Sequence, residues 1–166
     1  YYDVLDIRLY EDLYDIPYRV SWFRDRMHYY GYDKPIICTE FGGPDPRTLD
    51  AYQNLKGVIG ENCSNDIDPE QCITDWFKEN YDTVDPRLKI FSSNATAEEE
   101  AKYNRIQSHD IIQRHIMAYS AGVEATWWWN LQSAGKHIIF GKMRLMDSTV
   151  TPWLKLNADY CFQRMV

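Results

Sequence analysis

The chain has 166 residues, 45% of them hydrophobic and 26% charged, enough apolar material for one globular domain with a sizeable core. Its formal net charge of -7 argues against nucleic acid or an anionic membrane as the principal partner. No apolar run approaches the roughly 20 residues that span a bilayer, and no charged segment leading into an apolar one marks a signal peptide.

The first element expected is a strand. From Asp3 to Tyr10 the pattern alternates, with Leu5, Ile7 and Leu9 on one face and Asp6, Arg8 and Tyr10 on the other. A turn-like stretch then ends at Pro17. From Tyr18 to Tyr30 the residues Val20, Phe23, Met27 and Tyr30 recur at helical spacing, and Gly31 and Pro35 stop that helix. Residues Pro35 to Phe41 form a short apolar strand that closes on Gly42-Gly43-Pro44. Strand, helix and strand joined by short loops predict a βαβ unit, hence a parallel pair with a right-handed crossover.

Residues 44 to 96 are rich in Asp, Asn, Pro and Gly, with short helical candidates near Leu49 to Val58 and Pro69 to Tyr81. A connection this long is uncommon unless it is functional or partly disordered. A long helix is predicted from Ala97 to Ser120, capped by Thr96, with Glu98, Glu99 and Glu100 at its positive end. Ile106, Ile112, Ile116 and Tyr119 can line its buried side. After Gly122 a third strand runs from Val123 to Leu131. An apolar patch at Ile138, Ile139 and Phe140 follows, and a last amphipathic helix opens at Pro152 and carries Trp153, Leu156, Tyr160 and Phe162. The alternation predicts an α/β fold with about three parallel strands, too few for a closed barrel.

The spacing of Cys63 and Cys72, across a polar, turn-rich stretch, permits a loop-stapling disulfide. Cys38 and Cys161 read as buried small hydrophobes. His109 and His115 are six apart, on different helix faces, which argues against a helical zinc pair. His109 falls beside the expected buried stripe, as a packed core-edge residue. Asn62-Cys63-Ser64 and Asn94-Ala95-Thr96 fit the glycosylation sequon, a pattern that matters only in a secretory eukaryotic chain. Aromatic residues are abundant and serve either as core or as flat surfaces for the C–H faces of sugars; composition does not separate the two uses.

The sharpest feature is Lys34-Pro35-Ile36-Ile37-Cys38-Thr39-Glu40-Phe41-Gly42-Gly43. A carboxylate ends an otherwise apolar strand, at a cost unless it is solvated or paired. The two glycines let the chain turn sharply and leave room beside the acid. This segment resembles the seventh strand of the clan A glycoside hydrolases, retaining (β/α)8 enzymes in which the Glu at this point is the nucleophile. Asp3 to Tyr10 is similar to their sixth strand. Val123 to Leu131, ending Trp129-Asn130-Leu131, is similar to their eighth, which often ends in a sugar-contacting Trp. Gly141 to Asp147 and Thr151-Pro152-Trp153 resemble the stretch leading into their last helix. Arg8 stands where the family usually has His. The family's acid/base, a Glu usually after Asn at the end of strand four, has no counterpart in the chain.

The resemblance implies the C-terminal part of a TIM (β/α)8 barrel across residues 1–166, with a loop insertion at about 44–96. It also implies a retaining glycosidase that acts on a carbohydrate substrate without a cofactor or metal. Retaining hydrolysis needs two carboxyls about 5 to 5.5 Å apart, one ionised to attack the anomeric carbon and one protonated for the leaving oxygen. Glu40 is the expected nucleophile. Tyr10, on the neighbouring strand, would donate a hydrogen bond to it, and Arg8 would add positive charge, both favouring the ionised form. Arg8 is equally readable as a structural ion pair or a substrate contact. Trp129 is the expected sugar-facing ring, with Trp127 a layer deeper. His137, in the loop after the third strand, is either a substrate contact or a solvated loop residue.

A barrel takes about 250 residues. The chain, which opens directly on a strand-like run, is therefore expected to be a fragment, inactive by itself and requiring the missing N-terminal strands in cis or in trans. The absence of a signal sequence then says little about export. A second reading is a non-catalytic carbohydrate-binding or scaffold protein on a degenerate barrel.

Overall fold

The computed structural model describes residues 2–10, 12–63, 68–130 and 138–145. Three strands, β1 (Leu5–Leu9), β2 (Ile36–Phe41) and β3 (Ala125–Trp128), form one parallel sheet with β2 in the centre. Helix α1 (Ile16–Tyr29) joins β1 to β2. Helices α2 (Asp50–Cys63), α3 (Pro69–Glu79) and α4 (Ala97–Ser120) lie between β2 and β3, and the short α5 (Ile138–Lys142) follows β3. The chain is thus of mixed α/β class with a small parallel sheet.

Helix α1 begins at Ile16, earlier than periodicity alone suggests, because Pro17 sits in its first turn, where a missing N–H costs nothing. It buries Ile16, Val20 and Met27, with Phe23 packed partly buried beside them. Tyr30, expected on that face, is instead the exposed C-cap. Gly31 then takes a φ of 76°, which ends the helix at no steric cost. Beneath the sheet, Ile7, Leu9, Val20, Met27, Ile36, Cys38, Phe41 and Ala118 form one apolar core, so α1 and α4 cover the same face. Fully burying a side chain such as Leu9 contributes roughly 1.5–3 kcal/mol.

Helix α4 starts at the expected cap, Thr96, which forms a reciprocal capping box with Glu99: Thr96 Oγ1 accepts from the Glu99 N–H at 3.2 Å, and Glu99 Oε2 accepts from the Thr96 N–H at 2.8 Å. Its buried side differs from the expected one. Ile106, Ile116 and Tyr119 are exposed, and the buried stripe runs through Tyr103, Gln107, Asp110, Ile111, Arg114 and Ala118. The stripe carries polar residues because it packs against backbone at the end of β2, and Asp110 and Arg114 neutralise each other there at 2.6 Å. That rotation also leaves His109 exposed rather than packed at the core edge.

The stretch expected as a long loop with helical candidates folds around its own core. Ile59, Phe77, Leu88, Ile90 and Phe91 pack with Tyr103 from α4 and with Ile139 and Met143 from the segment after β3. Helix α2 runs on past Val58 to Cys63, and Cys63 is bonded to Cys72 of α3, with the two Cα atoms 5.7 Å apart. No described helix is long and apolar enough to cross a membrane. The expected terminal helix after Pro152, including Cys161, lies outside the described residues, as does Leu131.

Candidate active site at the end of the central strand

Strict alternation along β2 would place Glu40 with Ile36 and Cys38, in the apolar layer facing α1 and α4, and Phe41 on the opposite face. The ladder avoids this with a bulge. Asp6 pairs with Ile37, but Arg8 pairs with Glu40. On the other side Cys38 pairs with Thr126, but Phe41 pairs with Trp128. Strand β2 therefore spends one residue more than either neighbour over this stretch, and every side chain after it changes face. Phe41 becomes fully buried, edge-on to the rings of His115 at 4.8 Å and Trp128 at 5.5 Å. Glu40 turns to the face that the helices leave open. The alternative, a carboxylate among Ile36, Cys38 and Val20, would carry a desolvation penalty of several kcal/mol.

On that open face Tyr10 Oη donates to Glu40 Oε1 at 2.7 Å, and Arg8 Nε lies 3.0 Å from Glu40 Oε2. Both partners are donors, which suits a carboxylate that only accepts. The Arg8 side chain is 72% exposed, so solvent screens its pull; the Tyr10 contact is the better shielded of the two. Burial first, and then the hydrogen bond to the Glu40 carboxylate, push the Tyr10 phenol far above its ordinary range. Tyr10 therefore remains a protonated donor. Its ring leans on Phe140 at 5.3 Å, and the Arg47 guanidinium lies 5.3 Å from the centre of that same ring on Phe140. Phe140, from the segment after β3, thus braces the tyrosine, and Arg47, from the insertion, packs on Phe140 in turn.

The two glycines after β2 are required by close approach. A Cβ on Gly42 would stand 2.6 Å from the Trp129 carbonyl oxygen, and one on Gly43 would collide with the Asp110 carboxylate and the Arg114 guanidinium. The chain leaves the strand between the end of β3 and the polar stripe of α4. The Gly43-Pro44 and Trp129-Asn130 peptide bonds are cis.

The tryptophan run divides as alternation requires. Trp128 faces the helices and its Nε1 donates to the Met143 carbonyl at 2.8 Å. Trp127 and Trp129 project the other way and are exposed. Trp129 N–H donates to the Phe41 carbonyl at 2.7 Å, which ties the end of β3 to the residue after Glu40. His137 lies outside the described residues. Glu40, Tyr10 and Arg8 are therefore in direct contact, with Trp127 and Trp129 on the adjoining strand.

Among the strand residues the other carboxylate is Asp6. Its two oxygens accept from the Thr39 N–H at 3.0 Å and the Thr39 hydroxyl at 2.6 Å. The Cys38 thiol is fully buried and pushed up to about 11, chiefly by burial, which keeps it an inert thiol. Among the described residues no group of three or more His, Cys, Asp or Glu is placed to hold a metal ion. A groove of about 490 Å³ lies elsewhere, at the head of α4, lined by Pro44, Pro46, Ile90, Phe91, Tyr103 and Ile106 among others and not by Glu40 or Tyr10.

Comparison with protein-family models, with curated proteins and with solved structures finds no significant match.

Several residues of this neighbourhood carried no distinguishing signal in the sequence. His115 Nδ1 lies 2.8 Å from Thr126 Oγ1 and joins α4 to β3, yet a lone helical histidine has no such mark. The Asp110–Arg114 spacing is that of an ordinary surface ion pair; only its burial sets it apart. Phe140 was legible as apolar, not as the wall beside Tyr10.

Proposed function

We propose that this sheet is the C-terminal part of a (β/α)8 barrel of the clan A retaining glycoside hydrolase type, with Glu40 as its nucleophile. One observation carries the reading: at the C-terminal end of the central parallel strand, the Glu40 carboxylate accepts a 2.7 Å hydrogen bond from the Tyr10 phenol on the next strand. Active sites of such barrels lie at the C-terminal ends of the strands. In this reading the open sheet face is the barrel interior, and residues 44–96 are an insertion after the seventh strand. The N-terminal strands, supplied in cis or in trans, cover the free edges of β1 and β3, which would otherwise invite aggregation.

The proposed chemistry uses these groups as follows. Glu40 attacks the anomeric carbon as the bond to the leaving oxygen breaks. The proton comes from an acid/base on a strand outside this chain, and water then cleaves the glycosyl-enzyme. Tyr10 fixes the carboxylate plane and hydrogen-bonds to its charged form. Arg8 supplies the countercharge on the other oxygen. The exposed rings of Trp129 and Trp127 offer flat surfaces to the C–H faces of a pyranose. No cofactor or metal enters these steps.

The test is azide rescue of Glu40→Ala in the protein that contains the complete barrel. With an activated aryl glycoside, the variant loses turnover, and azide restores it with a glycosyl azide of inverted configuration as product. Sugar binding without turnover in the unmutated protein would instead identify a carbohydrate-binding scaffold.

A further inference from the structure

The turn that leads into α4 takes no part in the proposed catalysis. Asn94 lies there, exposed, in the sequon Asn94-Ala95-Thr96. The turn follows a 3-10 helix of one turn, Lys89–Phe91, and the chain is extended again at Thr96, with φ -77° and ψ 160°. Asn94 Nδ2 makes one long contact, 3.4 Å, to the Lys78 carbonyl, so little holds the amide against the surface. The segment offers an accessible amide on non-helical backbone, with a hydroxyl two residues on.

Cys63 and Cys72 form a disulfide within the insertion core, and such bonds persist in secretory and extracellular settings far more than in a reducing cytosol. A eukaryotic chain on that route meets the glycosylation machinery before its folding is complete. The other sequon, Asn62-Cys63-Ser64, is placed differently. Asn62 is in the last turn of α2, where its Nδ2 donates to the Val58 carbonyl at 2.7 Å. The middle residue, Cys63, is buried and consumed by the disulfide. An extended presentation of Asn62 competes directly with forming that bond.

We infer that Asn94 is an N-glycosylation site and that Asn62 stays unmodified. In the transfer, Asn94 Nδ2 displaces the diphosphate from the anomeric carbon of a polyprenyl-diphosphate oligosaccharide. The N–C bond forms, the C–O bond to the diphosphate breaks, the amide gives up one proton, and the polyprenyl diphosphate leaves; no redox change occurs. The attached glycan stands at the rim of the groove at the head of α4, since Thr96, Glu98 and Glu99 line that groove.

The experiment is secretion of the full-length protein from a eukaryotic host, followed by peptide mapping with and without peptide N-glycosidase. The expected result is a glycan on the peptide that carries Asn94 and none on the peptide that carries Asn62. A gel shift removable by the enzyme should disappear in Asn94→Gln and persist in Asn62→Gln. Thr96→Asn guards against a folding artefact, because it keeps an N-cap acceptor while removing the sequon hydroxyl; it should secrete normally and lack the glycan. Unmodified Asn94 in the secreted protein, or a shift that survives both Asn94→Gln and Thr96→Asn, overturns the assignment.

Discussion

Arg8 and Glu40 stand opposite each other in the β1–β2 ladder because β2 spends three steps, from Ile37 to Glu40, where β1 spends two, from Asp6 to Arg8. The same extra residue sends Phe41 into the apolar core and Glu40 to the open face, beside Tyr10. The pairing of acid, phenol and guanidinium is thus a product of register.

The Tyr10 phenol should not titrate with ordinary tyrosines. Its folded pKa lies above the unfolded value, so its contribution to stability is fully present below about pH 10 and is lost only as pH rises through the higher folded value. Followed by near-ultraviolet phenolate absorbance up to about pH 11, the folded protein and Tyr10→Phe should show the same amplitude. A drop by one tyrosine in the variant would mean that Tyr10 ionises freely. If the proposed glycosidase function holds, Tyr10→Phe in the protein with a complete barrel removes a hydrogen bond to a charged group, worth about 1.5–3 kcal/mol. The rate of glycosyl transfer to Glu40 should then fall roughly ten- to a hundredfold, with KM little changed.

Two pairs of glycines, Gly42 with Gly43 and Gly57 with Gly60, should respond oppositely to replacement by Ala. Gly43→Ala places a methyl on the buried Asp110–Arg114 pair, and Gly42→Ala places one against the Trp129 carbonyl. Each should destabilise by about 1–3 kcal/mol, the usual cost of overpacking. Gly57 and Gly60 lie within α2 and face open space where a Cβ would stand. Their replacement by Ala should stabilise by about 0.5–1 kcal/mol each, through helix propensity. Urea unfolding of the four variants checks the contrast, and equal effects would remove the close-approach explanation.

Arg114→Met should cost about 3–5 kcal/mol, because it strands a buried carboxylate. Burial already pushes the Asp110 carboxyl up, and Arg114 opposes that shift. Without the guanidinium it rises further. A raised folded value means that the folded state holds the proton more tightly, so the penalty is smallest in acid and grows as pH rises through that value. Unfolding the pair of proteins at acid and neutral pH measures this. A penalty independent of pH would contradict the buried pair.

Reduction of the Cys63–Cys72 bond, nine residues apart, should destabilise the insertion core by about 2–3 kcal/mol through restored loop freedom. Alkylation with and without reductant, scored by mass, should show that both thiols become available only after reduction.

Much of the local structure could be read from the sequence because short windows encode it. The period-two pattern of Leu5, Ile7 and Leu9 predicted both the strand and its buried face. Thr96 and Glu99 marked the start of α4, and Gly31 the end of α1. The Glu40 position at the end of an apolar strand was visible for the same reason. Facing was harder where the environment decides. The exposed Ile106 and Ile116 and the buried Asp110 and Arg114 invert what hydropathy says of α4, since Asp110 and Arg114 face the backbone at Gly43 and pair with each other there.

The sequence by itself determined the order of strands and helices, the caps that bound them, and the chemical types gathered near Glu40. Those depend on interactions within a few residues. Only the tertiary structure decided that Glu40 turns away from the core, that Tyr10 and Arg8 meet its two oxygens, and that Phe140 braces the tyrosine. Each of these rests on the one-residue bulge or on contacts distant in the chain, and no local pattern carries the energy that selects them.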